Sequence, residues 1–222
     1  MPLLKATNLT LKYADHPVFK DLNFSIDHND FLCIVGPNGS GKSTLLRCLL
    51  GEIKPTSGKI KFSTNFHQNQ IGYMPQSPKY SENFPASVYE IVASGALNRL
   101  KLFQKYPESD INHTLKLLNI ESLRHAKFSD LSGGQRQKVL LARAIVASAE
   151  LLILDEPSNN LDYHSKQEFY KTLKNLNQKL AIIMVTHDLD HQNLLGNKIL
   201  SLDPDHPFFG NTNEYVRRVH AR

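Results

Sequence analysis

The sequence predicts an α/β fold: a mainly parallel sheet flanked by helices, with a helical insertion in the middle of the chain. Three observations carry this. Short apolar runs with the composition of buried strands stand at 31–35, 151–154 and 181–185. Segments of helical period lie between them, and strands that alternate with helices assemble into parallel sheets. From about Ser87 to Ala149 the helical period continues without a strand signal, which marks the insertion.

Along the chain, Leu9, Leu11 and Tyr13 alternate with Thr10 and Lys12, predicting a half-buried strand. Phe24 and Ile26 continue the alternation after a turn around Asp15-His16-Pro17. The continuous run Phe31 to Val35 reads as a central strand covered on both faces. Lys54-Pro55-Thr56-Ser57-Gly58 reads as a turn leading into a short strand near Ile60 to Phe62. Ser87-x-x-Glu90 has the pattern of a capping box before Val88, Ile91 and Val92, and Ile111, Leu115 and Leu118 mark a second helix. A third helix is expected from about Gly134 through Ala149. A strand at Leu151 to Leu154 follows, then a helix carrying Phe169, Leu173, Leu176 and Leu180, then a strand from Ala181 to Thr186.

The totals exclude several classes. The 222 residues are 41% apolar and 21% charged, the ordinary usage of a globular chain, and are read as one folding unit. Apolar stretches fall far short of the roughly 20 residues of a spanning helix. The start, MPLLKATNLT, has no basic segment followed by an apolar one, so a cytosolic location is expected. Net charge is +5 without a compact basic run, so no nucleic-acid partner is expected. Cys33 and Cys48 are read as two small buried thiols.

The chemistry is concentrated in a few stretches. Gly36-Pro37-Asn38-Gly39-Ser40-Gly41-Lys42-Ser43-Thr44 satisfies G-x-x-x-x-G-K-[ST] between a strand and a helix. The glycines let successive N–H groups converge on phosphate oxygens, and the helix start adds positive charge. Lys42 would reach the β- and γ-phosphates, and Ser43 would give its hydroxyl to Mg²⁺. Leu151 to Leu154 is a buried strand ending in two acids. Asp155 can hold Mg²⁺, and Glu156 is expected to be free to position or deprotonate the attacking water. Leu131-Ser132-Gly133-Gly134-Gln135 opens a helix with S-x-x-Q, a second capping-box pattern at which backbone can approach a phosphate.

These stretches, in this order, with Gln76, Ser158-Asn159-Asn160-Leu161-Asp162 and His187, closely resemble the nucleotide-binding subunit of ATP-binding cassette (ABC) transporters over about 200 residues. The resemblance implies a P-loop NTPase core with an N-terminal antiparallel β subdomain, and a single domain over 1–222 with a helical subdomain at approximately 84–135. It implies ATP and Mg²⁺ as cofactors. Tyr13 would stack on adenine, Gln76 would sense Mg²⁺ and the water, and Asp162 would communicate across a dimer. His187 would contact the γ-phosphate, although His187 and His191 also have the i, i+4 spacing of a zinc pair. Asn159 and Asn160 stand where threonine or alanine is frequent in the family. Two copies would pack head to tail, with Ser132, Gly133, Gly134 and Gln135 acting on the partner's ATP. Integral membrane permease subunits and, indirectly, an extracytoplasmic binding protein would complete the assembly, with this chain on the inner face of the membrane.

Phe84-Pro85-Ala86-Ser87-Val88-Tyr89-Glu90-Ile91-Val92-Ala93-Ser94-Gly95 and the tail Phe208 to Tyr215 resemble the zinc and manganese uptake group. They imply an importer of a divalent metal ion, zinc before manganese or iron. The alternatives are a transporter ATPase for another cargo and a soluble ABC ATPase outside transport. The segment after His187 is too short for the regulatory domain of the sugar importers.

Overall fold

The structure is a computed structural model that describes residues 2–76, 85–98, 108–147, 150–159, 161–187 and 196–220. The chain divides into two compact units, Met1–Gln68 with Asn177–Arg222, and Asn69–Leu176.

The first unit holds two sheets. β1 (Leu4–Tyr13) lies between β2 (His16–Ile26) and β4 (Ser57–Phe62), antiparallel to both. In the other, β3 (Phe31–Val35) lies parallel between β7 (Ala181–Val185) and β8 (Lys198–Ser201). β9 (Phe208–Asn211) closes that edge antiparallel to β8, and its chain continues into α6 (Thr212–His220). Every residue of β3 and β7 is buried, as the unbroken apolar runs require of parallel strands covered on both faces. α1 (Lys42–Leu49) follows β3 and buries Leu45, Leu46, Cys48 and Leu49.

The start of β3 is fastened by polar side chains. Asn197 Oδ1 accepts from Phe31 N at 2.8 Å, and its amide donates to Asp30 at 2.9 Å. Lys198 Nζ donates to Asp30 at 2.6 Å and to Asp27 at 3.3 Å. Burial works against the Lys198 charge, but hydrogen bonding and attraction from Asp30 and Asp27 outweigh it and raise its pKa. Asn177 donates to the carbonyls of Asn29, Asp30 and Leu180, each at 3.1 Å. The Asn197 and Asn177 amides thus pair backbone groups where the strand enters the core, and the bonds to the Asp30 carboxylate are charge-assisted.

The second unit pairs β5 (Ile71–Met74) in parallel with β6 (Leu151–Asp155). Its helices are α2 (Val88–Ser94), α3 (Glu108–Leu117), α4 (Gly133–Ala147) and α5 (Tyr163–Asn177). Both predicted capping boxes form. Ser87 N donates to Glu90 at 2.7 Å while Ser87 Oγ accepts from Glu90 N at 3.3 Å. Donation to the Glu90 carboxylate from the Ser87 N–H and from the Ser87 hydroxyl, the latter also at 2.7 Å, holds that carboxyl below the usual range. α4 is buried on nearly every side, through Val139, Leu140, Leu141, Ala142, Ala144 and Val146, the pattern of a helix enclosed by its neighbours.

Several expectations are corrected. β1 does not alternate to its end: its pairing with β2 shifts register three times between Ala6 and Lys12. Thr10 is therefore buried, bonded to the Asp21 backbone N–H at 3.0 Å, while Tyr13 is 53% exposed. β4 begins at Ser57, inside the predicted turn, because Gly58 takes φ 83° where the β1–β4 register shifts. A Cβ there would stand 2.2 Å from the Asn8 carbonyl oxygen. Leu118 and Leu180 are buried beyond the ends of their helices. The predicted end of the third helix at Ser148-Ala149, Phe84 and Asn160 lie outside the described residues.

Cys33 and Cys48 are free and buried, as expected. Burial pushes the Cys33 thiol up to about 12, against a smaller opposite effect from its hydrogen bond with the Gly196 backbone. At pH 8 its thiolate fraction is about a thousandfold below that of an unperturbed thiol. Iodoacetamide should leave Cys33 unmodified in the folded protein and alkylate it in urea, as peptide mass mapping would show. Rapid native labelling would contradict its enclosure.

Candidate active site

The first unit builds a glycine-rich loop with the form of a phosphate cradle at the carboxyl end of β3. Gly36, Gly39 and Gly41 all have positive φ, of 148°, 81° and 92°. Gly41 is the position that most requires glycine: a Cβ would lie 2.5 Å from the Val18 side chain of β2, in a left-handed conformation as well. The loop closes with Ser40 N donating to Pro37 O at 3.2 Å, and α1 starts with Leu45 N donating to Gly41 O at 2.8 Å.

Three features fit this loop to a polyphosphate. α1 has no side-chain cap and no acidic residue in its first turn, so its leading N–H groups and dipole favour an anion. The Ser40 hydroxyl, 8% exposed, has no hydrogen-bond partner among the described residues. Lys42, 7% exposed, folds its ammonium back over the loop and donates to the Gly36 and Pro37 carbonyls at 2.8 Å each. Ser43 is exposed and Thr44 half-buried beside it, while Asn38 is exposed on the loop.

β7 ends next to the same loop: Thr186 N donates to Ile34 O at 3.2 Å, extending the β3–β7 pairing one residue further. His187 follows, exposed, at the carboxyl edge where open parallel sheets bind ligands. Residues 188–191, including His191, lie outside the described residues, and among those described no group of three His, Cys, Asp or Glu could hold a metal. Tyr13 ends β1 opposite His16 of β2, the strand whose Val18 abuts Gly41. Its exposure leaves the ring face accessible, unlike that of an inward strand aromatic.

The second unit gathers the acids and the remaining motifs. Asp155 closes β6 and is 7% exposed. Glu156 follows at φ 46°, a left-handed conformation unusual for a residue with a side chain and costing on the order of 1–3 kcal/mol. Its carboxylate is not free, as the sequence suggested. Gln76 Nε2 donates to Glu156 Oε2 at 2.6 Å, and Asn159 Nδ2 donates to the same oxygen. Gln76 reaches it because β5, which precedes Gln76, pairs with β6 through Met74 and Leu154. Sequence reasoning singled out Gln76 and Glu156 separately and missed Asn159; its signal was three-residue spacing across a turn.

Ser132 and Gln135 cap α4 reciprocally, Ser132 N donating to Gln135 Oε1 at 2.9 Å and Gln135 N to Ser132 Oγ at 3.3 Å. Ser132 and Gly133 are exposed and Gly134 and Gln135 half-buried. Asp162 caps α5, accepting from Ser165 N at 3.0 Å and Ser165 Oγ at 2.7 Å, and these bonds hold its carboxyl below the usual range. Both helix starts border one groove of about 150 Å³, lined by Ser132, Gly134, Gln135, Leu161 and Ser165 among others. The buried Ser158 hydroxyl and Tyr170 hydroxyl, 2.7 Å apart, fix the intervening loop to α5.

The fold and the loop define a nucleotide-binding protein of the P-loop class. Residues 19–159 match the family model described as ABC transporter, and the chain belongs to that family. It is 42% identical over 208 residues to a probable metal transport system ATP-binding protein of Chlamydia pneumoniae, covering 89% of this chain and 85% of that one. To the high-affinity zinc uptake system ATP-binding protein ZnuC of Bacillus subtilis it is 35% identical, over 91% and 92% of the two chains. Among solved structures, cbiO1 from Clostridium perfringens, part of the ABC transporter complex cbiONQ, superposes with a TM-score of 0.83 at 31% identity, over 100% of this chain and 95% of that one. The protein is thus an ATP-binding ATPase. No helix among the described residues is long and apolar enough to cross a membrane.

Proposed function

We propose that the chain hydrolyses ATP to energise uptake of a divalent metal ion, zinc in the first place and manganese or iron otherwise, through separate integral membrane subunits. One observation carries the cargo: relatives named for zinc or metal transport align with about nine-tenths of this chain, at identities of 42% and 35%. The location is then the inner face of the membrane, with an extracytoplasmic binding protein delivering the metal.

In this reading the loop Gly36 to Thr44 holds the phosphates of ATP, with Lys42 moving its ammonium from the Gly36 and Pro37 carbonyls to the β- and γ-oxygens. Tyr13 stacks on adenine. Ser43, Asp155 and Gln76 would supply oxygen donors of the kind Mg²⁺ prefers. The ion neutralises charge on the phosphates when bound. Glu156 orients the attacking water and accepts its proton on the carboxylate, while His187 donates to the γ-phosphate. Most of the acceleration comes from placement and charge compensation, as phosphoryl transfer allows.

A second copy, packed head to tail, completes each site with Ser132, Gly133, Gly134 and Gln135, and Asp162 lies at the same face. The exposure of Ser132 and Gly133 at a helix start supports this. We place one folded cassette over 1–222, with the helical subdomain at about 84–135.

Uptake of radiolabelled zinc and manganese by cells lacking the gene, complemented with wild type or Glu156→Gln, tests the cargo. Wild type alone should restore zinc accumulation. Normal zinc and manganese uptake without the gene would remove the metal assignment and leave the ATPase.

A further inference from the structure

We propose that Asn159 is a positioning residue for hydrolysis, its side-chain amide holding the carboxylate of Glu156 from the turn that immediately follows it. The inference rests on the reading of Glu156 as the base.

The geometry is local and specific. Glu156 adopts φ 46°, and Asn159 N donates to Glu156 O at 3.4 Å, so the chain reverses between 156 and 159. The reversal returns the Asn159 amide to the carboxylate it follows, where it donates to Oε2. Gln76 donates to the same Oε2 from a segment 80 residues earlier. Glu156 is thus gripped through one oxygen by two amides, one delivered by a distant loop and one by its own turn. The loop carrying Asn159 is itself anchored, by the buried Ser158–Tyr170 hydroxyl pair and by Asp162 capping α5.

Such a grip addresses a specific problem. A glutamate has three side-chain torsions, and immobilising so long a side chain costs up to about 2 kcal/mol of rotamer entropy. A base must meet its water within hydrogen-bond reach, and a misplacement of about 1 Å can cost as much as a hundredfold in rate. Asn159 restricts Glu156 whatever Gln76 is doing, because its donor is fixed by the turn next to the base.

Two substitutions separate this from a turn-forming role. Asparagine and aspartate serve turns alike, but only asparagine offers the donor. At saturating Mg·ATP, Asn159→Ala should lower kcat of the full chain roughly fivefold to twentyfold, with the KM for ATP changed less than about twofold. Asn159→Asp should fall at least as far, since it sets a carboxylate against a carboxylate. In a Glu156→Ala background, Asn159→Ala should reduce the residual single-turnover rate by less than about twofold, because the group it holds is gone.

Wild-type turnover in Asn159→Asp overturns the proposal, as does an additive loss in the double variant. If Glu156→Ala alone retains wild-type turnover, the base assignment fails and the grip with it. A crippled Glu156→Ala beside a normal Asn159→Ala strikes only the grip. Asn159 is exposed, so thermal midpoints close to wild type should accompany all these measurements.

Discussion

Glu156→Gln is expected to bind ATP as wild type does and to hydrolyse it on the order of 10² to 10³ times more slowly, equal to roughly 2.7 to 4 kcal/mol of barrier. The two side chains share their length and shape. The substituted amide retains a carbonyl oxygen able to accept the bonds that Gln76 and Asn159 now give to Glu156 Oε2. What disappears is the capacity to take a proton from water and the negative charge that orients it. On the proposed assignment, the residual rate would come from phosphate placement and charge compensation by groups the substitution does not touch, Lys42 among them. Because ATP still binds and is not consumed, the proposed head-to-tail dimer should accumulate. Size-exclusion chromatography with Mg·ATP would show this as a shift to twice the wild-type mass. Turnover equal to wild type would remove Glu156 from the base role, and slow turnover without a dimer would separate hydrolysis from assembly.

What the sequence disclosed and what it concealed divide by range. The phosphate loop was legible because its geometry is local: glycines at 36, 39 and 41 and a helix starting at Lys42 are fixed by nearest neighbours. The capping boxes at Ser87 and Ser132 were legible for the same reason, as were the buried strands: β3 and β7 are apolar runs of five residues, and β6 is a run of four that ends in the buried Asp155. β5 was not, since Ile71-Gly72-Tyr73-Met74 is short, includes glycine and becomes a strand by pairing with β6, 80 residues later. β8, β9 and α6 were missed as elements because their order depends on partners such as Asp30 for Lys198, 168 residues apart. The exposed Tyr13 was hidden by the three register shifts of β1, which a period-2 reading does not anticipate. At the site, each acid was identified in place, but the bond from Gln76 to Glu156 spans 80 residues and is visible only when β5 and β6 are paired. The Asn159 bond was within reach, but it depends on Glu156 taking a positive φ, which its residue type disfavours.

Lys42→Ala should act at the opposite stage, by losing the nucleotide. Its ammonium sits 2.8 Å from both the Gly36 and Pro37 carbonyls, nearly excluded from solvent, at the start of a helix that has no other charge in its first turn. Hydrogen bonds to charged groups contribute about 1.5–3 kcal/mol each. Two such bonds to the phosphates imply an affinity loss of roughly a hundredfold or more. Alanine also leaves the Gly36 and Pro37 carbonyls without their donor, which is a structural effect on the loop. The comparison with Lys42→Arg separates the contributions. Arginine keeps the charge, but its planar fork is larger than the compact ammonium the two carbonyls enclose, so charge alone should not restore affinity. Calorimetric titration with Mg·ATP, paired with thermal midpoints without nucleotide, reads both quantities. Affinity within twofold of wild type in Lys42→Ala would contradict the phosphate-loop assignment, and a collapse of the midpoint would make the loop's own stability the cause. Loss of binding at a nearly unchanged midpoint, set beside retained binding in Glu156→Gln, would divide the work between the two units: phosphate capture by the loop after β3, chemistry by the acids after β6.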